Sequence, residues 1–175
     1  MSIGATMKVE GVTLALKTLR QLDAEFQKQV KKDIRAAAKP LQQKAREYVP
    51  LEPPLSGFSR SWTRSTGGTV AGWNARGKTR NKVVIKTGGK RRSDGSYLLV
   101  AVVQTDAMGA IFDMAGRKND DGNVASGAAM IRNLNKIRGA SRGMWPAAEQ
   151  ELPHIQQVVG GILDTVSARL TKELA

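Results

Sequence analysis

A long amphipathic stripe between residues 23 and 49 constrains the fold of this chain more than any other feature. Within DAEFQKQVKKDIRAAAKPLQQKAREYV, apolar side chains recur every three or four residues, at Phe26, Val30, Ile34, Ala37, Leu41, Ala45 and Tyr48. This spacing places them on one helix face, which needs a sheet or another helix to cover it. Asp23 is suited to cap the helix. Pro40 predicts a kink near residues 36–40, because proline removes one backbone hydrogen bond and clashes with the preceding turn.

Two apolar segments after residue 80 predict a β-hairpin. NKVVIKT, residues 81–87, and YLLVAVVQT, residues 97–105, flank the turn-rich and basic GGKRRSDGS. The second strand is apolar at nearly every position, so we expect it to be central or covered on both faces. A short strand is predicted at TMKVEGV, residues 6–12, and a helix follows it in VTLALKTLRQL.

Two further helices are predicted in the C-terminal part of the chain. The first is SGAAMIRNLNKIRG, residues 126–139, and the second runs from Met144 to the end. Pro146 suits a first helical turn, whereas Pro153 predicts a kink or a break. Gly160 and Gly161 interrupt the same helix, which indicates close packing or a hinge.

Positive charge is concentrated in one segment. The chain carries 28 Lys and Arg against 15 Asp and Glu, a net charge of +13. Ten cations and no acid lie between residues 60 and 92, namely Arg60, Arg64, Arg76, Lys78, Arg80, Lys82, Lys86, Lys90, Arg91 and Arg92. Such a block repels itself, which favours a mobile arm that neighbours would order in an assembly; the plainer interpretation is a solvated loop. The 175 residues indicate one domain, 1–175, with 55–95 as a basic loop and hairpin arm.

Composition excludes several classes of site. The chain has no cysteine, so disulfides and thiolate metal sites are excluded, and a cytoplasmic product is expected. No apolar run approaches 18 residues, so no membrane span is expected. The N-terminal MSIGATMKVEGV lacks the basic and apolar regions of a signal peptide.

The segment GAIFDMAGRKNDDGNVASG, residues 109–127, poses the question of a metal site. If Gly122 takes position 6 of an EF-hand loop, Arg117 falls at position 1 and Ala128 at position 12, where carboxylates are required. The polar residues of the loop are therefore interpreted as turn residues, Asn119, Asp120, Asp121 and Asn123. Asp113 is predicted to cap or pack.

No pattern of catalytic residues is visible. The single histidine, His154, lies beside Pro153 without an accompanying nucleophile or carboxylate pattern. GGTVAG and GGKRRSDG lack the ending of a phosphate-binding loop. We therefore expect no enzyme, no cofactor and no metal.

Three segments, taken in order, resemble the tail-completion or neck family of long-tailed bacteriophages, which joins heads to tails. The family's segment of small and aromatic residues corresponds to PLSGFSRSW (54–62). Its turn motif corresponds to IFDMAG (111–116), and its late entry to the C-terminal helix corresponds to RGMWPAAE (142–149). The match covers most of the chain. The sequence departs from the family pattern in its long basic 67–95 region, and in Asp113, where Glu is commoner.

The resemblance implies an α+β fold, in which a small antiparallel β-sheet packs on a long kinked N-terminal helix, with a C-terminal helix and a long basic loop. It implies a structural virion protein of the neck, forming a ring, sixfold like the tail, between connector and tail. The implied partners are further copies of the chain, the connector or stopper, tail terminator or tail-tube proteins, and passing DNA. The implied locations are the virion neck and, during assembly, the host cytoplasm.

Aromatic and basic side chains are the expected interface or DNA-channel residues. They are Arg60, Arg64, Arg76, Lys78, Arg80, Lys90, Arg91, Arg92, Trp62, Trp73, Phe112 and Trp145. An alternative is a nucleic-acid-binding protein in which Trp62 and Trp73 stack on bases, although no known nucleic-acid-binding motif is visible. A minor capsid or decoration protein is a third hypothesis. For Phe112 and Trp145 the plainer alternative is an ordinary core position.

Overall fold

A computed structural model describes residues 3–6, 24–63, 65–73, 78–91, 97–117 and 127–174. These ranges form an α+β fold of helices and two small antiparallel sheets. The strands are β1 (Ile3–Thr6), β2 (Trp62–Thr63), β3 (Thr69–Val70), β4 (Val83–Arg91) and β5 (Tyr97–Gln104). The helices are α1 (Ala24–Ala37), α2 (Lys39–Tyr48), α3 (Lys78–Asn81), α4 (Ala107–Met114), α5 (Ala128–Ile137) and α6 (Met144–Leu174), with a 3₁₀ turn at Ser56–Ser59.

The larger sheet has the strand order β1-β5-β4, and both pairings are antiparallel. The predicted hairpin is therefore confirmed. β4 reaches Arg91, so the first residues of the predicted basic tip belong to the strand, after a register shift between Thr87 and Lys90. The N-terminal strand lies at Ile3–Thr6. Most of the segment predicted to form it, and the helix predicted after it, lie outside the described residues.

β5 is central, as its composition predicts. Residues 100–104 are buried one after another, with Val102 2% and Gln104 1% exposed. Alternate residues of a strand point to opposite faces, so consecutive burial means that this stretch is covered on both faces.

The predicted amphipathic stripe forms the N-terminal side of the core. Val30, Ile34, Ala37, Leu41 and Ala45 are buried, and Phe26 and Tyr48 pack against them in part. Ala38 separates α1 from α2, and Pro40 lies in the first turn of α2, a position at which proline is well tolerated. The expected cap, Asp23, is outside the described residues.

Helix α6 is 31 residues long and packs on α2 and α1. It places Ala147, Ile155, Val159 and Val166 in the core. The helix continues through Pro153, so the predicted break is absent. Pro153 is exposed, and water can satisfy the carbonyl left without a donor in the preceding turn.

Polar side chains of α2 bind the edge strand β4 of the three-stranded sheet. The backbone oxygen of Val83 accepts hydrogen bonds from Gln42 Nε2 at 2.9 Å and from Arg46 Nε and Nη2 at 3.1 and 2.9 Å. These bonds fix the start of β4 against the helix, beside the core side chain of Val83 itself, which is fully buried.

Parts of the basic segment 55–95 pack into the core, whereas residues 59–63 and 65–69 are exposed. It contributes Phe58, Val70, Trp73, Val83 and Ile85 to the core. The segment includes β4 of the hairpin, and at those positions it returns to the core repeatedly. Residues 64, 74–77 and 92–96 lie outside the described ranges. None of the helices described is long and apolar enough to cross a membrane.

Candidate functional site

Helix α4 presents the motif residues Phe112 and Asp113 to the interior. The helix begins after Asp106, whose side chain accepts a hydrogen bond from the backbone nitrogen of Gly109 at 3.0 Å. Phe112 is 1% exposed and Asp113 4%. Phe112 thus packs in the core, as expected of the residue that anchors a packing corner.

Asp113 caps α6 from a distance of 30 residues along the chain. Its Oδ1 accepts hydrogen bonds from the backbone nitrogens of Gly143, at 2.5 Å, and Met144, at 3.2 Å. Its backbone oxygen accepts from Ser141 at 2.7 Å and Arg142 at 3.2 Å. A carboxylate suits a helix start, where backbone N–H groups lack intrahelical partners and the helix dipole is positive. The predicted capping and packing role of Asp113 is confirmed.

Arg142 joins α4, α5 and α6 from a buried position. It is 1% exposed, and its guanidinium donates to the backbone oxygens of Phe112 at 2.8 Å, Ala115 at 2.9 Å and Leu134 at 3.4 Å. It also donates to Asn135 Oδ1 at 2.8 Å. Burial lowers the pKa of Arg142, and the negative charge of Asp113 acts in the opposite direction. In the sequence, Arg142 begins the RGMWPAAE motif, but no role is predicted for it. The local feature that could have indicated a structural role is a cation among small residues just before a helix.

Gly116 ends the α4 motif in a conformation that other residues rarely adopt. Its φ is +90°, and a Cβ on it would lie 2.7 Å from Ile131 Cγ2. A glycine is therefore needed at this turn for α5 to pack against α4. The polar residues 118–126 that follow, including Asn119, Asp120, Asp121 and Asn123, are outside the described ranges.

A chain of three aromatic rings joins the segment before α3 to α4. The Phe58 and Trp73 ring centroids are 5.9 Å apart, and those of Trp73 and Phe112 are 5.8 Å apart, both with edge-on geometry. The Trp73 backbone nitrogen also donates to Phe58 O at 2.6 Å. Trp73 is 6% exposed, so its ring lies in the core and its surface is not open to stacking by a base.

Trp145 and Trp62 are the exposed aromatic candidates. Trp145 is 61% exposed, although it opens a helix whose next turn is buried, and Trp62 is 46% exposed. The Trp145 indole nitrogen donates to Glu149 Oε1 at 2.8 Å. Trp145 therefore is not a core residue, in contrast to Phe112.

The basic candidates differ in what they contact. Arg60 and Lys78 are exposed, and Lys90 and Arg91 belong to β4. Arg80 donates from Nε to Val49 O at 2.8 Å and from Nη2 to Glu47 O at 3.5 Å, so it ties α3 to the end of α2. Three further candidates, Arg64, Arg76 and Arg92, lie outside the described residues.

Polar groups inside the described part of the chain are satisfied internally. No buried side-chain nitrogen or oxygen there lacks a hydrogen-bond partner. The same residues contain no group of three or more His, Asp or Glu side chains placed to hold a metal ion. His154 lies on an exposed face of α6. The functional candidates that remain on the surface are apolar and basic side chains.

Comparison of the chain with protein-family models, with curated proteins and with solved structures finds no match.

Proposed function

We propose that the protein is a structural component of the phage neck, forming a ring that joins the DNA-filled head to the tail. One observation carries the proposal: the three segments that resemble the neck family pack against one another. Phe58 and Phe112 are connected through Trp73. Asp113 and Arg142 connect the second segment with the third. The resemblance therefore concerns one packed unit, although its parts are far apart in the sequence.

We also infer that α1 and α2 act as one kinked helix on which the sheet packs. Two hydrogen bonds support this: Ala38 N donates to Ile34 O at 3.3 Å, and Gln42 N donates to Ala38 O at 3.1 Å, so the helical pattern runs through the junction. The bonds from α2 to Val83 O hold the sheet to the same helix.

The surface chemistry suits contact with other subunits and with moving DNA. Trp145 offers an exposed apolar ring to a neighbour. Arg60 and Lys78 offer exposed cations to acidic surfaces or to phosphates. Few and loose phosphate contacts are appropriate in a channel, because tight ones would oppose DNA passage. The inferred neighbours are the connector or stopper on one side and the tail terminator or tail tube on the other.

A stop codon early in this gene, placed in the phage genome, tests the proposal. Electron microscopy of the lysate is expected to show DNA-filled heads and complete tails that are not joined. The gene supplied in trans restores joined particles, and the His154→Ala gene restores them equally, because His154 has no assigned chemistry. Joined, infectious particles from the stop-codon phage would contradict the neck role.

A second candidate, nucleic-acid binding, is favoured by Trp62. The Trp62 ring is exposed, and so is Arg60, two residues earlier in the sequence. Lys78 is an exposed cation of the same basic segment. Together these residues supply a stacking ring and positive charge for phosphates. Fluorescence anisotropy with single-stranded DNA over a salt series distinguishes this candidate. Tight binding that weakens steeply with salt and with Trp62→Ala would favour it over a passive channel wall.

A further inference from the structure

Apolar surface is exposed at one end of the molecule, where α2 ends and α6 begins. Of the four large apolar side chains most exposed in the described residues, three belong to this end: Leu51 at 50%, Ile137 at 52% and Trp145 at 61%. On α5, Ile131 and Leu134 are buried while Ile137, one turn later, is not, so the apolar stripe runs from the core into solvent. Single exposed apolar residues are common, but several that belong to one end of a protein mark a candidate interaction site.

Tyr48 contacts both other elements that carry these residues, and we define the Trp145 patch as Tyr48, Leu51, Ile137, Trp145 and Glu149. Tyr48 OH accepts a hydrogen bond from Gln150 Nε2 at 2.9 Å, and the Arg138 guanidinium lies 5.0 Å from the Tyr48 ring centroid. These two contacts bring the start of α6 and the end of α5 to the end of α2.

Within the Trp145 patch, Arg138 already covers the Tyr48 ring, and Trp145 with Glu149 is suited to receive a further cation with an apolar stem. The bond from the indole to Glu149 fixes the ring on a rigid helix, so little side-chain entropy remains to be lost on binding. Indole is the aromatic ring that attracts cations best. Glu149 places a carboxylate at the edge of that ring, and Glu52 is exposed beyond the end of α2; Glu47 is exposed as well but pairs with Lys44 at 3.3 Å. Lysine and arginine combine the apolar stem and the charge that such a surface requires.

The same chain carries a matching surface on α1, which we call the basic face. Its exposed cations are Lys28, Lys31, Lys32 and Arg35. They lie opposite the buried Val30 and Ile34 and extend over about 10 Å of helix. Glu25 bonds to Lys28 Nζ at 2.7 Å, but both side chains are largely exposed, so this pair is weak and replaceable.

We propose that the Trp145 patch binds the basic face of a second copy of this chain, so that copies join head to tail. The inference rests on the proposed ring and names its junction. Within one copy the two surfaces cannot meet, because about 25 Å of helix separates Lys31 from Tyr48. When copies join through two different surfaces, every dimer still has one free Trp145 patch and one free basic face. Further copies add there, and the ring closes when the rotation from one subunit to the next allows it.

Mass photometry and sedimentation of the purified chain over a concentration series test the junction. The wild type is expected to associate beyond a dimer. Trp145→Ala and the triple variant Lys31→Glu, Lys32→Glu, Arg35→Glu are each expected to weaken association by about tenfold or more. A control with the same change in charge, Lys82→Glu, Lys86→Glu, Arg132→Glu, alters exposed cations outside both surfaces and is expected to associate like the wild type. Circular dichroism verifies that every variant is folded.

Mixing the two defective variants is the decisive measurement. Trp145→Ala keeps its basic face and the triple variant keeps its patch, so one intact junction can form and the mixture is expected to stop at a dimer. A mixture that stays monomeric, a wild type that stays monomeric, or single variants that associate normally would each overturn the proposal. If these variants also join heads to tails normally while the stop-codon phage does not, the junction is wrong and the neck role stands.

Discussion

Asp113 lies in the last turn of one helix and serves the first turn of another. A cap normally comes from the residue next to the helix it stabilises, because that side chain reaches the free N–H groups with little loss of entropy. Here the backbone N–H groups of Gly143 and Met144 donate to Asp113, which belongs to α4. Arg142 donates to backbone oxygens in the last turn of α4. The start of α6 is thus defined by tertiary contacts.

Asp113→Ala is expected to lower the free energy of unfolding by about 2 to 5 kcal/mol. The substitution leaves two buried backbone N–H groups without an acceptor and removes the negative charge nearest Arg142. Urea unfolding followed by circular dichroism measures the change. Asp164→Ala, which alters an exposed carboxylate of α6, is the control and is expected to stay within about 0.5 kcal/mol of the wild type.

Local sequence indicates a structural role for Asp113 but not its partner. In the sequence, Asp113 follows Phe112 within a short apolar segment, and a polar residue in that position favours a capping or packing role. The partner lies 30 residues later, beyond the polar loop, and no periodicity connects the two. For the same reason Arg142 stays undetected, since its acceptors are backbone oxygens that any sequence could provide.

The spacing and composition of apolar residues predict several helices and strands of this molecule well. The α1–α2 stripe faces the core at the expected positions, and the uniformly apolar β5 is the central strand. Pro153 is the exception. The free-energy cost of a proline inside α6 depends on whether its side of the helix faces water, and tertiary packing decides which side does. The glycines of α6 are a second exception: a Cβ on Gly160 or Gly161 would meet no described atom within 4 Å, so the predicted close packing is wrong.

Ile34→Asp is expected to cost several kcal/mol and to unfold a marginal domain. Ile34 is 3% exposed in the middle of the buried stripe, where a carboxylate would have no partner to offset its desolvation. Lys32→Asp, on the exposed face of the same helix, is expected to cost less than about 1 kcal/mol. Thermal unfolding of both proteins checks the pair. An Ile34→Asp protein that melts with the wild type would refute the buried stripe.

Gly160→Ala is expected to stabilise the protein by about 0.5 to 1 kcal/mol. Glycine in a helix interior loses more backbone entropy on folding than alanine, and the added methyl group meets open space. Calorimetry gives the change in stability, and, under the proposed neck role, the yield of joined particles shows whether α6 bends in assembly. A more stable protein with fewer joined particles would mean that the glycines act as a hinge; a less stable one would contradict the open space.

At the scale of the whole molecule, aromatic packing ties the Gly- and Ser-rich segment to the core. Composition alone predicts a solvated loop there, because apolar residues are sparse between 55 and 81 and show no period. The two tryptophans of this segment cannot be distinguished by their neighbours in sequence. One is buried between two rings and the other is exposed, a difference decided only when α4 supplies Phe112.

Trp73→Ala is expected to lower the free energy of unfolding by about 3 to 5 kcal/mol, because it leaves a cavity between Phe58 and Phe112. Trp62→Ala removes a ring of the same size from the surface and is expected to change stability by about 0.5 kcal/mol or less. Denaturant unfolding compares the two. Equal losses would show that the segment is not anchored through Trp73.

The side chains that cover the Val83 carbonyl bear on how this protein behaves at high concentration. An uncovered edge strand is a template on which another chain can add its own strand and so begin an aggregate. At the start of β4, three nitrogen atoms of Gln42 and Arg46 already surround the oxygen that an added strand would use. Further along, the exposed Lys86 would place its charge against an added strand. The β4 edge of the sheet is thereby protected against the addition of a further strand, even where the protein is abundant.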